Sequence, residues 1–209
     1  MRRAMIVVCA GILLLSVSPM AQAGILRTLG VKGSFSSSGR NSQADSQFER
    51  RIGVNLGAEV EWGFGNYFSM HSDFEYSQRG WKTKATDSQS AEKTDLSYVS
   101  IPVLFQFSVP AVIVKPYIQI GPRLDILTKI SSDTYGNSIP KDWSKTLVGG
   151  SVAAGAQIQK FHPIIISGTA RYNFDFANLS SAQDIKVKNN SLDVWVGVGY
   201  GFGPKPMGQ

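Results

Sequence analysis

Alternation with a period of two runs through almost the whole chain. No other feature constrains its fold as strongly. Near the C-terminus, Leu192, Val194, Val196, Val198, Tyr200 and Phe202 share one parity, while Asp193, Trp195, Gly197, Gly199 and Gly201 share the other. A β-strand sends successive side chains to opposite faces, so each such segment has one apolar and one polar face. The pattern recurs near 26–36, 48–63, 66–79, 94–109, 115–129, 144–160, 163–176 and 191–202. It predicts eight strands. Several exceed the usual five or six residues of soluble sheets and reach the roughly 9–11 that a tilted strand needs to cross a bilayer.

The segments between strands alternate in length. SSSGRNSQADS, GWKTKATDSQSAEKT, SSDTYGNSIPKD and ANLSSAQDIKVKNN are long and polar, whereas FGN, the stretch around VPAVIVK, and KFHP are short. An up-and-down arrangement then places four long loops at one end and three short turns, with both termini, at the other. Outer-membrane barrels are built this way, with the long loops outside the cell.

The first 23 residues stand apart. MRRAMIVVCAGILLLSVSPMAQA carries Arg2 and Arg3, an apolar run and a small-x-small ending at Ala21-Gln22-Ala23. This predicts a signal peptide over 1–23, a barrel over 24–203 and a short tail over 204–209. Cys9, the only cysteine, lies inside the leader, so the mature chain has no thiol or disulfide chemistry. Cleavage takes two from the chain's 21 basic residues, against 15 acidic ones, and lowers the net charge from +6 to +4. The basic residues form no stripe, and nucleic acid is not an expected partner.

Which face is inside decides the class. A lipocalin-like secreted barrel would turn the apolar parity inward around an apolar ligand. The other parity, however, is rich in Gly, Asn, Arg and Asp and poor in Lys, which suits a narrow filled interior better than a solvated face. The fold expected is therefore all-β: an eight-stranded antiparallel up-and-down transmembrane β-barrel. Its interior should hold Lys32, Arg51, Glu59, Glu61, His71, Asp73, Glu75, Arg123, Asp125, Arg171, Asp175 and Asp193. Buried charges must be paired and hydrogen-bonded. Aromatics near strand ends should form interfacial girdles: Trp62, Phe64, Tyr67, Tyr200 and Phe202 at the short-turn end, and Trp81, Tyr135, Trp143, Phe174 and Phe176 at the loop end. Pro122 cannot donate a ladder bond, which predicts a local bulge.

Candidate chemistry is sparse. The mature chain has two histidines, His71 and His162. His71 shares its parity with Ser69, Asp73 and Glu75 but points to the lumen, where a lipid-processing site would not open. Two distant histidines make a weak zinc signature. The Asp73, Glu75, Asp125 and Asp175 carboxylates read as ion-pair partners rather than calcium ligands. No catalytic residue, metal or cofactor is expected.

Together the motifs resemble the PorT-like outer-membrane β-barrel family of Bacteroidota: GVKGSFSSSG at 30–39, GAEVEWGFGNYFSM, FEYSQRGWK at 74–82, YVSIPVLFQF at 98–107, KPYIQIGPRLD at 115–125, Arg171-Tyr172, and a last strand ending in GVGYGFG. The resemblance implies the same barrel and, for named members, an accessory place in type IX secretion or gliding. Phe202 is followed by GPKPMGQ, a departure from the terminal aromatic common among outer-membrane proteins. The function expected is a small non-enzymatic outer-membrane barrel with a structural, assembly or surface-interaction role. The alternatives are a secretion-complex accessory, a lipocalin-like binder and a lipid-modifying enzyme. Expected partners are outer-membrane lipid and lipopolysaccharide, the barrel-assembly machinery, and possible secretion-complex subunits.

Overall fold

Each alternating segment becomes one strand of a closed sheet. The computed structural model describes residues 26–41, 48–83, 93–111, 113–132, 143–176 and 188–202. The strands are β1 (Leu26–Asn41), β2 (Phe48–Gly63), β3 (Phe68–Thr83), β4 (Lys93–Ser108), β5 (Val114–Ser132), β6 (Thr146–Ile158), β7 (Ile164–Asp175) and β8 (Lys188–Gly201). Each pairs antiparallel with the next, and β8 closes on β1. Closure satisfies the backbone groups without leaving an edge, which is what lets strands cross lipid. The expected leader, the tail and most of each long loop lie outside the described residues.

The apolar parity faces outward. Ile118 and Ile120 are 61% and 62% exposed, whereas the alternate residues Gln119 and Arg123 are 6% and 2% exposed. β8 behaves alike, with Val194, Val196 and Val198 outside and Asp193 and Trp195 buried. A lipocalin would have the reverse. The mixed parity of β4, which includes Tyr98, Leu104 and Gln106, is the lumenal one.

Several strands outrun their sequence pattern at the loop end. β1 continues five residues past the expected 36, pairing Gly39, Arg40 and Asn41 with Asn190, Asn189 and Lys188 of β8. β3 continues to Thr83 and β5 to Ser132. There both faces carry polar residues, so the alternation fades while the backbone ladder goes on.

The expected bulge at Pro122 is absent. Pro102 pairs with Arg123 and Phe105 with Ile120, so β4 and β5 keep one register across it. Gly121 accommodates the neighbouring strand: a Cβ there would lie 2.0 Å from the Val103 carbonyl oxygen. The irregularity falls instead where Ser97 pairs with Lys129 but Tyr98 with Leu127, leaving Thr128 as the extra residue. Its hydroxyl donates to the Ser97 carbonyl at 2.9 Å.

A second irregularity lies between β2 and β3, where Arg50 pairs with Trp81 but Leu56 with Tyr76. Polar side chains serve the β3 backbone there. Asn55 Oδ1 accepts from the Gln78 amide at 2.9 Å, and Ser38 Oγ accepts from the Gly80 amide at 3.0 Å.

Trp81 corrects the girdle assignment. It follows the lumenal parity of β3 and is buried, forming an apolar cluster with Leu96, Tyr98, Leu127, Ile130 and Leu147. Trp143 packs on this cluster rather than on lipid. Tyr135 lies outside the described residues. At the short-turn end, Phe64, Tyr67 and Tyr200 are exposed, with Trp62 and Phe202 half-buried. Phe176 is exposed and Phe174 half-buried at the other end, their rings meeting edge to face at 5.4 Å.

Candidate functional site: a charged lumen under an apolar cap

The lumen is layered. Nearest the short turns, Glu61 of β2 is the hub. It accepts hydrogen bonds from Thr28 at 3.2 Å and from Gln157 at 3.0 Å. Lys115 lies 3.7 Å from one of its oxygens and His71 Nε2 lies 3.9 Å from the other.

Above it, two cations and three carboxylates interlock. Lys32 Nζ bonds Asp73, lies 2.9 Å from Glu75 and 4.0 Å from Glu59. Arg171 reaches from β7 across the lumen and donates to Glu75 at 2.6 Å and to Asp73 at 2.9 Å. The buried Trp195 ring has Lys32 Nζ 4.7 Å and the Arg171 guanidinium 5.2 Å from its centroid. Cation–π contact adds to ion pairing where water is excluded. Gly197 leaves the space this needs, since a Cβ there would meet the Ser167 hydroxyl at 2.6 Å.

The third layer is built on two arginines. Arg79 of β3 donates to Asp125 at 2.7 Å. Arg123 donates to Asp125 at 2.8 Å and to Asp175 at 2.6 Å. Asn173 links Asp193 and Ser191 at 2.6 and 3.0 Å. The apolar cluster around Trp81, Leu96 and Ile130 completes the lumen at the loop end. Arg79 and Tyr98 join the two materials, the guanidinium lying 5.2 Å from the ring centroid.

Eleven of the twelve residues expected inside, all but Arg51, are brought into these layers. Arg51 goes elsewhere: its Nε pairs at 2.6 Å with Asp95, a residue of the outward parity of β4. The pair borders an outer-surface hollow of about 270 Å³, also lined by Tyr76, Gln78 and Lys129. Arg51 keeps the lumenal parity of β2, opposite Ser38 of β1, and lies beside the register shift between β2 and β3. The sequence reading missed Arg79 and Lys115. Both share the parity of residues that it did place inside, His71 for Arg79 and Arg123 for Lys115, so continuing the alternation to each strand end would have found them.

Among the described residues, no serine hydroxyl hydrogen-bonds His71 Nε2. His71 is buried in the lumen beside Glu61, away from the lipid face. The described lumen pairs buried charges across neighbouring and opposite strands.

The fold has known counterparts. Neisserial surface protein A superposes with a TM-score of 0.51 at 17% identity, covering 81% of this chain and 96% of that one. OprG of Pseudomonas aeruginosa gives 0.55 at 14% identity, covering 85% and 97%. AlkL, solved in lipid bilayers, gives 0.50 at 10% identity, covering 85% and 91%. At such identities the likeness concerns the fold alone. No curated protein sequence matches the chain. The model of the outer membrane protein beta-barrel domain matches residues 20–205, nearly the full length. The protein resides in the bacterial outer membrane, long loops outside and termini in the periplasm. Fold, outward apolar wall and family match agree: this chain belongs to the outer membrane protein beta-barrel domain family, as a small eight-stranded member.

Proposed function

We propose that the protein is a non-enzymatic, non-conducting outer-membrane scaffold that carries its long loops at the cell surface for binding. One observation carries this reading: the lumen is filled from wall to wall. Trp195, Arg123, Arg171, Leu96 and Ile130, from different strands and layers, are each at most 2% exposed. Eight strands enclose just enough space for side chains, whereas porins need more. With no open passage from end to end, the surface left for a large partner is the loop end. There β1, β3 and β5 extend past the length needed to span lipid and form a stiff base. Binding segments commonly sit on loops held by a rigid scaffold.

Planar-bilayer recording of the purified barrel tests the closed lumen. No steady single-channel conductance is expected, and a stable open level overturns the reading. An epitope inserted in 84–92 should be reached by antibody on intact cells. The resemblance to PorT-like barrels extends the proposal to an accessory place in a secretion complex. Co-purification of large secretion subunits from solubilised outer membranes supports that extension, and a lone monomer counts against it.

A further inference from the structure

We infer that Glu59, His71 and Asp73 form a divalent-cation site in the lower half of the lumen, suited to a transition metal such as Zn²⁺. Each residue offers one ligand atom, and the three atoms lie within 4.8 Å of one another. One imidazole nitrogen and two carboxylates form a donor set typical of zinc and its neighbours in the first transition row.

The register brings these ligands together. Glu59 stands directly opposite Asp73, and Glu61 directly opposite His71, on adjacent strands β2 and β3. Two carboxylates facing each other on one side of a sheet repel. Lys32 answers this only in part, because it bonds Asp73 but lies 4.0 Å from Glu59.

Within this trio, two buried ligand-type atoms have no hydrogen-bond partner among the described residues. They are Asp73 Oδ1 and His71 Nε2, in residues 3% and 5% exposed. The other Asp73 oxygen, Oδ2, accepts from Lys32 and from Arg171. The carboxylate is therefore held by outer partners with its second oxygen free, as second-shell contacts hold a metal ligand. Glu59 supplies the way in: its side chain is 12% exposed, against 1–3% for Glu61, Asp73 and Glu75.

The charge balance points the same way. Seven carboxylates stand in the three lumenal layers: Glu59, Glu61, Asp73, Glu75, Asp125, Asp175 and Asp193. They face five basic side chains: Lys32, Arg79, Lys115, Arg123 and Arg171. With every one of these groups charged, the two uncompensated negative charges equal the charge of one divalent ion. Sequence spacing could not show the site, because the chain's other histidine, His162, lies far away in a short turn. The only imidazole needed is His71, and its co-ligands come from register.

The test uses the folded full-length barrel in detergent, equilibrated with Zn²⁺ and dialysed. Elemental analysis should give one zinc per chain. Glu59→Gln and His71→Gln should each weaken binding at least about tenfold, while Glu49→Gln, on the exposed end of β2, should leave it unchanged. Heat-modifiable migration identifies variants that fold. A second readout needs no variant. In a zinc titration of the unaltered protein followed by nitrogen NMR, the His71 imidazole signals should shift and those of His162 should stay. Retention no greater than that of a zinc-treated control barrel, or a titration that leaves His71 unmoved, overturns the site. The excess carboxylates would then be balanced by protons.

Discussion

The two ends of the lumen solve one packing problem with opposite materials. From the short turns to mid-barrel, the interior is an ionic lattice in which Lys32, Arg171, Arg79 and Arg123 bind carboxylates across several strands. Under the loops it becomes a hydrocarbon cluster of Trp81, Leu96, Leu127, Ile130 and Leu147. Both exclude water, but they should fail differently. An ion lattice is satisfied only when complete, and losing one member strands its partners in a poorly solvated space. An apolar cluster loses only the area and contacts of the atoms removed.

The largest effect is expected from Arg171→Met. It leaves Glu75 and Asp73 with Lys32 as their remaining ionic partner and should cost about 3–5 kcal/mol. The urea midpoint for loss of heat-modifiable migration reports it. An unchanged midpoint would show that Lys32 alone carries the middle layer. In the cap, Ile130→Ala should cost about 3 kcal/mol, since Ile130 is fully buried. A larger loss there than at Arg171 would invert the comparison.

The wall separates the two materials from lipid and gives a finer scale. Gly121→Ala brings a methyl into the Val103 carbonyl and forces β4 and β5 apart, at about 2 kcal/mol. Gly168→Ala places its methyl in open space on the lipid side and should change stability by less than about 0.5 kcal/mol. Equal effects at the two glycines would mean that backbone entropy, rather than close strand approach, governs the wall.

Legibility in the sequence followed the alternation. β2 was readable to the residue, and β4 and β7 to within one at each end, because an outward apolar row runs through the middle of each. The loop-end extensions of β1 and β3 were unreadable for the opposite reason. SSSGRN is polar on both faces, so only pairing marks it as strand, with β8 throughout and with β2 as far as Ser38. Trp81 misled because a tryptophan at a strand end has two homes, the membrane interface and the lumen. Composition does not choose between them, but parity does. Pro122 misled because a missing donor was taken to need a bulge, whereas Gly121 beside it let β4 approach in register.

By itself the sequence determined the barrel, its eight strands, the outward apolar face and most of the residues that meet inside, all with one physical basis. A period of two carries through every strand, and lipid tolerates only one of the two faces. Partnership was decided by tertiary structure. Arg171 and Glu75 are far apart in the chain and on opposite walls of the barrel, and closure brings them to 2.6 Å. Arg51 pairs with Asp95 on the outward parity of β4, beside the β2–β3 register shift, which parity alone did not imply. Glu59, His71 and Asp73 became neighbours only through the β2–β3 register. Such contacts depend on how strands align around a closed ring, and no single strand contains that information.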